Sequence, residues 1–330
     1  MLRMQPFETH YPTTIDEAVT HLENLQGKAK LCAGGTDLIP NLKHGLHEPQ
    51  AVVHIGRIKD LVTLEETADA IEIGAGVTLH NIAHHPLVLK YVPGLATAAD
   101  AVAGPQLRRM GTLGGNLCLD TRCLYYNQTY FWREALGFCL KKDGSVCHVV
   151  QGGKKCVAAT SNDTATMLLC LDAEVEINDA SGPRWIPLPD LYKSDGADNL
   201  TLLPTEILTK VRIPKAKKNV ARKEGFAKLR HRKSIDYPML SVGVRIDLKD
   251  DKTIESAALI VNALAAKPRA IKLAPFFGKI LDDEVINDIA ALAQKRCRPL
   301  TNICDDPDWR KEMVSVFVKR AIANACGTHR

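Results

Sequence analysis

Apolar residues recur at helical spacing over residues 15–25, with Thr13 or Thr14 placed to cap the first turn, and a short apolar run at 29–32 reads as a strand. That run leads straight into Ala33-Gly34-Gly35-Thr36-Asp37-Leu38, where small and polar residues end it. A strand-like run at 51–55, followed by alternating segments at 61–64 and 70–73, suggests a boundary near residue 57. Residues 173–177 and 207–213 also read as strands, the second closed by Pro214, and the lysine-rich residues 215–223 read as a linker. Beyond it, 240–248 and 254–264 have the pattern of strands, and 270–281, 283–293 and 309–325 that of helices. The last domain is therefore expected to be α+β. No internal repeat or low-complexity segment interrupts this order.

At 330 residues the chain is long enough for two or three domains, each with its own core. Charged residues at 25% and hydrophobic ones at 45% fit a globular protein rather than a disordered one. Residues 1–11 lack the apolar segment of a secretory signal, and no run approaches the ~18 apolar residues of a membrane span. A cytoplasmic protein without a membrane partner is expected. The formal charge of +5 is mild for this length and does not point to nucleic acid.

Ten cysteines in such a protein argue for thiols and metal ligands rather than a disulfide framework. Cys32, Cys170, Cys297, Cys304 and Cys326 are scattered and read as buried thiols. Cys123, Cys139, Cys147 and Cys156 instead share one stretch with the spacing C-x15-C-x7-C-x8-C. That is wider than the paired cysteines of structural zinc sites and unlike the compact runs of bacterial ferredoxins. Four thiolates suit zinc or an iron–sulfur cluster equally, and spacing leaves both open.

Two glycine pairs carry the next step. Gly34-Gly35 follows a strand, and Thr112-Leu113-Gly114-Gly115-Asn116 has the same small, polar character. Such pairs let backbone approach a phosphate closely and let adjacent N–H groups form an anion-binding concavity. Gly74-Ala75-Gly76 superficially matches a Rossmann start, but Leu79 stands where the third glycine belongs. Phosphate loops of the Walker type, nucleophile elbows and paired-histidine zinc motifs are absent from the sequence.

Several segments in order resemble the FAD-binding medium subunits of the xanthine oxidase and carbon monoxide dehydrogenase family of molybdenum hydroxylases. They are Ala33 to Leu38, Gly74 to Leu79, Gln106-Leu107-Arg108 ahead of Gly111 to Leu117, Pro204 to Leu208 leading to Val211-Arg212-Ile213-Pro214, and Lys228, Arg232 and Asp236. The last three look like the family's Lys-x3-Arg-x3-Asp signature. The resemblance implies an α+β architecture in which residues 1–57 and 58–217 form a two-part FAD-binding region of the PCMH type. Residues 218–330 would form a C-terminal α+β domain of the CO dehydrogenase flavoprotein type.

The chain departs from ordinary members in one place. About 40 residues separate Leu117 from the segment 158–175, which resembles the family's next helix and has Asp163 in its acidic position. All four cysteines lie in this insert, at about 119–157. An insert of this length with its own metal ligands resembles one branch of the family, the β subunits of 4-hydroxybenzoyl-CoA reductases, and implies a 4Fe-4S cluster on Cys123, Cys139, Cys147 and Cys156 beside FAD. The branch also implies a large subunit with the molybdenum cofactor, a small subunit with 2Fe-2S clusters, ferredoxin as electron donor, and a dimer of heterotrimers. Electrons would flow inward for reductive dehydroxylation to benzoyl-CoA, with substrate chemistry on another subunit and no catalytic residue here. An oxidising hydroxylase of the same family and a zinc-bearing binding module are the two alternatives.

Carried over by the resemblance, Leu31, Ala33, Gly34, Gly35, Thr36, Asp37 and Leu38 belong to the FAD site, as do Thr112, Gly115 and Asn116. Asp163 would lie near the ribose or phosphates, Leu208 against the flavin ring and Lys228 at its pyrimidine edge, with Tyr237 a weaker stacking candidate. Cys118 reads as packing, and His148 as a rarer type of ligand not needed once four cysteines are present. Tyr125, Tyr126, Tyr130, Phe131, Trp132 and Phe138 are expected to pack around the metal, since so small an insert has little core of its own. His80, His84 and His85 read as helix-capping or solvated histidines. Within residues 119–157, six basic residues (Arg122, Arg133, Lys141, Lys142, Lys154, Lys155) outnumber three acidic ones (Asp120, Glu134, Asp143), leaving +3. A basic rim of this kind would steer an acidic ferredoxin.

Overall fold

The computed structural model describes residues 2–328 and contains three sheets in succession along the chain. The first is parallel, with strands β1 (Glu8–His10), β2 (Ala29–Cys32) and β3 (Ala51–His54) in the order β1-β3-β2. The helix Ile15–Leu25 crosses between β1 and β2. Thr14 caps it by accepting from the Glu17 N–H at 3.2 Å, and the Glu17 carboxylate reaches back to the Thr13 N–H at 2.7 Å, the reciprocal arrangement that fixes a helix start. Ala18, Val19 and Leu22, spaced on one helix face, then pack with Ala51 and Val53 of β3.

The second sheet is antiparallel and has five strands in the order β4-β5-β8-β6-β7. These are β4 (Leu64–Glu66), β5 (Ala70–Gly74), β6 (Glu174–Asp179), β7 (Gly182–Pro187) and β8 (Ile207–Pro214). Alternate positions supply one apolar face: Ile71 and Ile73 of β5 lie opposite Ile213 and Val211 of β8, and Val175 of β6 also opposes Val211. Helices Leu79–His84, Pro93–Asp100, Leu113–Leu117 and Asp163–Cys170 contribute to the core on that face. The third sheet, order β12-β11-β10-β9, consists of β9 (Ala221–Leu229), β10 (Leu240–Leu248), β11 (Ile254–Asn262) and β12 (Arg269–Ile271). Helices Asp283–Arg296 and Pro307–Cys326 share its core, the second capped where Asp306 accepts from Trp309 N–H at 2.8 Å.

Three expectations are corrected here. Residues 270–281 are not a helix: they complete β12 and then turn through a short 3-10 segment, because Pro275 and the left-handed Gly278 (φ +79°) interrupt the apolar spacing. The segment 158–175 becomes helical only over Asp163–Cys170, since Ala159 is first paired in extended form with Arg122 and Thr160 N–H donates to Ala265 O at 2.9 Å. The lysine-rich stretch 215–223 is only partly a linker, because β9 begins at Ala221 and takes Arg222 and Lys223 into an edge strand. A buried polar junction joins the helix Asp163–Cys170 to the third sheet: Asn262 Nδ2 donates to Asn162 Oδ1 at 3.0 Å and to Thr166 Oγ1 at 3.1 Å. These contacts hold that helix, and Asp163 at its start, against β11.

Candidate functional site

The two glycine loops, far apart in sequence, abut. A Cβ at Gly34 would lie 1.7 Å from Met110 O, so only glycine allows the loops to approach this closely. Gly35 has φ +68°, and none of the backbone N–H groups of Gly34, Gly35, Thr36 and Asp37 donates to a backbone carbonyl. Four open amides in a row after a strand form the concavity that suits a diphosphate. Leu31 and Ala33 pack on the first core, and Leu38 joins Cys32, Leu42 and Val52, so apolar anchors hold both ends of the loop.

The second loop has a different role. Gly114 N–H donates to Ala75 O at 2.8 Å, Gly115 N–H to Thr112 Oγ1 at 3.1 Å and Asn116 N–H to Thr112 O at 2.9 Å. The Asn116 carboxamide oxygen accepts from Thr164 N–H at 3.2 Å and Thr164 Oγ1 at 2.5 Å. Thr112, Gly115 and Asn116 therefore order the second loop and tie it to the helix Asp163–Cys170, with the Gly115 and Asn116 amides already engaged.

Asp163 and Lys228 meet each other. Lys228 Nζ lies 2.6 Å from Asp163 Oδ2, both side chains are buried, and Lys228 also donates to Ala101 O at 3.1 Å. Burial pushes the Asp163 carboxyl up, with Lys228 and Arg230 opposing it, and Asp163 Oδ1 has no partner. Leu208, 5% exposed, belongs to the core of the second sheet. Asp37 accepts from Asn41 Nδ2 at 3.0 Å and pairs with Arg122, whose guanidinium lies 3.7 Å over the Tyr237 ring. Composition offered only a faint signal for Arg122, a basic residue directly before the first cysteine of the insert.

Cys123, Cys139, Cys147 and Cys156 line one small cavity together with Lys141, His148 and Tyr126. Backbone N–H groups face two of the sulfurs, Val150 toward Cys147 Sγ and Ala158 toward Cys156 Sγ, each at 3.4 Å. Burial pushes the Cys123 thiol up to about 11. Among the described residues no three of these sulfurs lie within 4.8 Å of one another; the group that does is His231, Cys304 and Asp305, all exposed. Cys118 packs against the second core, where burial pushes it up to about 12, and His148 Nε2 is 2.6 Å from Phe138 O.

The insert corrects further expectations. Lys141 is no docking charge: it is buried and donates to Asp120 Oδ1 at 2.6 Å and to Gly196 O at 2.8 Å. Burial pushes Asp120 up, yet the His47 hydrogen bond and the Lys141 ammonium outweigh it and hold that carboxyl well below its ordinary value. Arg133 is 1% exposed and bonds Gly45 O at 3.0 Å, and Lys142 sits between Glu48 and Asp143. Lys154 and Lys155 remain exposed beside Cys156. Tyr125 and Tyr126 line the cavity, but Tyr130, Phe131 and Trp132 are exposed on the helix Tyr130–Ala135, which turns its buried Arg133 inward instead. Cys304, expected to be buried, is exposed in a loop beside left-handed Asp305 (φ +73°). All ten cysteines are free thiols. His85 caps the helix Pro86–Tyr91, and His80 and His84 lie on a surface helix.

Residues 5–216 match the family described as the FAD binding domain in molybdopterin dehydrogenase, and residues 226–325 match the CO dehydrogenase flavoprotein C-terminal domain. The chain belongs to the FAD-binding medium subunits of the molybdenum hydroxylase family. It is 26% identical over 322 residues to the carbon monoxide dehydrogenase medium chain of Hydrogenophaga pseudoflava, covering 96% of both chains. To the aldehyde oxidoreductase FAD-binding subunit of Escherichia coli strain K12 it is 31% identical over 281 residues, 82% of this chain and 85% of that one. The solved structure of reconstituted CO dehydrogenase from Oligotropha carboxidovorans aligns with a TM-score of 0.79 at 25% identity, over 99% of this chain and 100% of the other. For an FAD subunit of this family the open amides of residues 34–37 are a fitting cradle. No described helix is long and apolar enough to cross a membrane.

Proposed function

We propose that this oxidoreductase subunit carries a 4Fe-4S cluster as well as FAD and serves a molybdenum-containing 4-hydroxybenzoyl-CoA reductase. The observation that carries this reading is the convergence of four cysteines from one insert on one cavity. When bound, the two groups supply electron transfer between ferredoxin and partner subunits that hold 2Fe-2S clusters and the molybdenum cofactor. Cys123, Cys139, Cys147 and Cys156 hold the cluster, with the N–H groups of Val150 and Ala158 stabilising sulfur charge. Lys141, a buried cation at the cavity wall, adds to that stabilisation. The amides of Gly34 to Asp37 bind the FAD diphosphate, and Leu31, Ala33 and Leu38 fix their loop. Thr112, Gly115 and Asn116 order the neighbouring loop that abuts it through Met110. Asp163 and Lys228 act as one buried pair that ties the FAD-binding region to the C-terminal domain, and Leu208 shapes the apolar wall.

The exposed Lys154 and Lys155 beside Cys156 favour an acidic protein donor at this end of the molecule. The full cytoplasmic assembly, a dimer of heterotrimers, is tested as a whole. Purified with its large and small partners and given reduced ferredoxin, it is expected to convert 4-hydroxybenzoyl-CoA to benzoyl-CoA. Failure to dehydroxylate, together with oxidation of an aldehyde or N-heterocycle and electron release to an acceptor, would instead identify an oxidising hydroxylase.

A further inference from the structure

Arg122 stands where the cysteine insert meets the flavin loop. Its backbone is fixed by a two-way pairing with Ala159, Arg122 N–H to Ala159 O at 2.7 Å and Ala159 N–H to Arg122 O at 2.8 Å. Its side chain leaves the insert, lies 3.7 Å over the Tyr237 ring and donates through Nη2 to both the Asp37 carboxylate and the Tyr237 hydroxyl. Tyr237 in turn donates to Asp37 Oδ1 at 3.3 Å. Three parts of the chain thus meet at one guanidinium, which rests on the last residue of the open-amide run Gly34, Gly35, Thr36 and Asp37.

Two physical problems are solved by that placement. A carboxylate inside a diphosphate-binding loop repels its ligand, and the paired guanidinium neutralises it. Arg122 Nε, moreover, is buried and has no hydrogen-bond partner, and a buried guanidinium N–H facing no acceptor is costly. An anionic ligand at the loop relieves that cost.

We propose that Arg122 is an FAD-binding residue supplied by the cysteine insert, so that FAD affinity depends on the insert being folded. The FAD half stands on the family to which the chain belongs; the dependence on the insert rests on the reading that Cys123, Cys139, Cys147 and Cys156 hold a metal cluster. Because Cys123 directly follows Arg122, loss of the cluster frees the guanidinium from Asp37. By linkage, FAD must then tighten metal binding by the factor by which metal tightens FAD.

The test uses the purified subunit in complex with its partners, titrating FAD by fluorescence and measuring iron separately. Arg122→Gln is expected to weaken FAD binding roughly tenfold to a hundredfold, as for loss of a charged hydrogen bond, while iron content stays unchanged. Arg122→Lys should fall between it and the natural residue, and Asp37→Asn combined with Arg122→Gln should recover part of the loss. Cys123→Ser, depleted of iron, should bind FAD several-fold more weakly. Unchanged FAD affinity in Arg122→Gln, with the variant folded or merely less heat-stable, overturns the proposal. Weakened FAD in Arg122→Gln but natural affinity in iron-free Cys123→Ser overturns the coupling and leaves the residue's role standing. Absence of iron from the natural protein refutes the cluster reading alone.

Discussion

The flavin frame and the cysteine insert are held together by different physics. In the frame, Ile71, Ile73, Leu95, Leu113, Val175 and Val211 are wholly buried and belong to one apolar cluster. Most of its order follows from area removed from water. The insert has a single six-residue helix, Tyr130–Ala135, and its apolar cluster contains only Leu46, Tyr126 and Cys139 with Cys123 beside them. Left-handed Gly137, Phe138, Asp143 and Gly152 wind its backbone through turns, and buried Arg133 and Lys141 hold it by donating to carbonyls and carboxylates. Asn302 of the C-terminal domain clasps it from outside, donating to Val157 O at 2.6 Å and accepting from Leu124 N–H at 2.8 Å. On the proposed reading, a loop ordered this way depends on the cluster its cysteines hold, whereas the frame does not.

The contrast is broken most directly by stripping the metal. Chelation, or serine at two of the four cysteines, is expected to open residues 119–157 to protease while the three sheets stay folded. Simultaneous collapse of insert and frame would show that the distinction is false. Next in size is the frame's own weak point, the buried pair. Lys228→Met leaves Asp163 buried without its counter-ion and should cost about 3–5 kcal/mol in chemical unfolding. A cost below about 1 kcal/mol would mean that the pair is solvated.

The glycine loops sharpen the comparison further. Gly35→Val alters a left-handed position beside open amides and should lower FAD occupancy at least tenfold. Gly115→Ala meets only Thr112 Oγ1 at 3.0 Å and leaves the engaged amide in place, so its FAD content should fall much less. Equal losses in a flavin absorbance assay would return the second loop to the ligand. The smallest effect is electrostatic: Lys154→Glu with Lys155→Glu should slow reduction by ferredoxin several-fold at low salt and hardly at all at high salt. Salt-independent rates would move the donor elsewhere.

How far each region could be read from sequence follows the same division. The helix Ile15–Leu25 and strands β2 and β10 were legible with their boundaries because one apolar face repeats along each. The segment 270–281 was misread since its apolar spacing persists across Pro275 and Gly278, which matter more. In the site, the glycine pairs and cysteines were visible as residue types. Which amides were open was not, because that depends on Met110, Ala75 and Thr112 closing around them from other segments. The signs of Lys141 and Arg133 were readable, but their burial was not: a charge turned inward to cap carbonyls looks the same in sequence as one facing water.

The account stands or falls on what the four cysteines hold. Iron, acid-labile sulfide and zinc should be quantified per chain in the natural subunit and in serine variants of Cys118, Cys123, Cys139, Cys147 and Cys156, with electron paramagnetic resonance of the reduced protein. The expected result is about four irons and about four sulfides per chain, with a reduced 4Fe-4S signal that each of the last four substitutions abolishes or converts and Cys118→Ser preserves. One zinc per chain without sulfide, or an intact cluster after loss of Cys123, Cys139, Cys147 or Cys156, would contradict it.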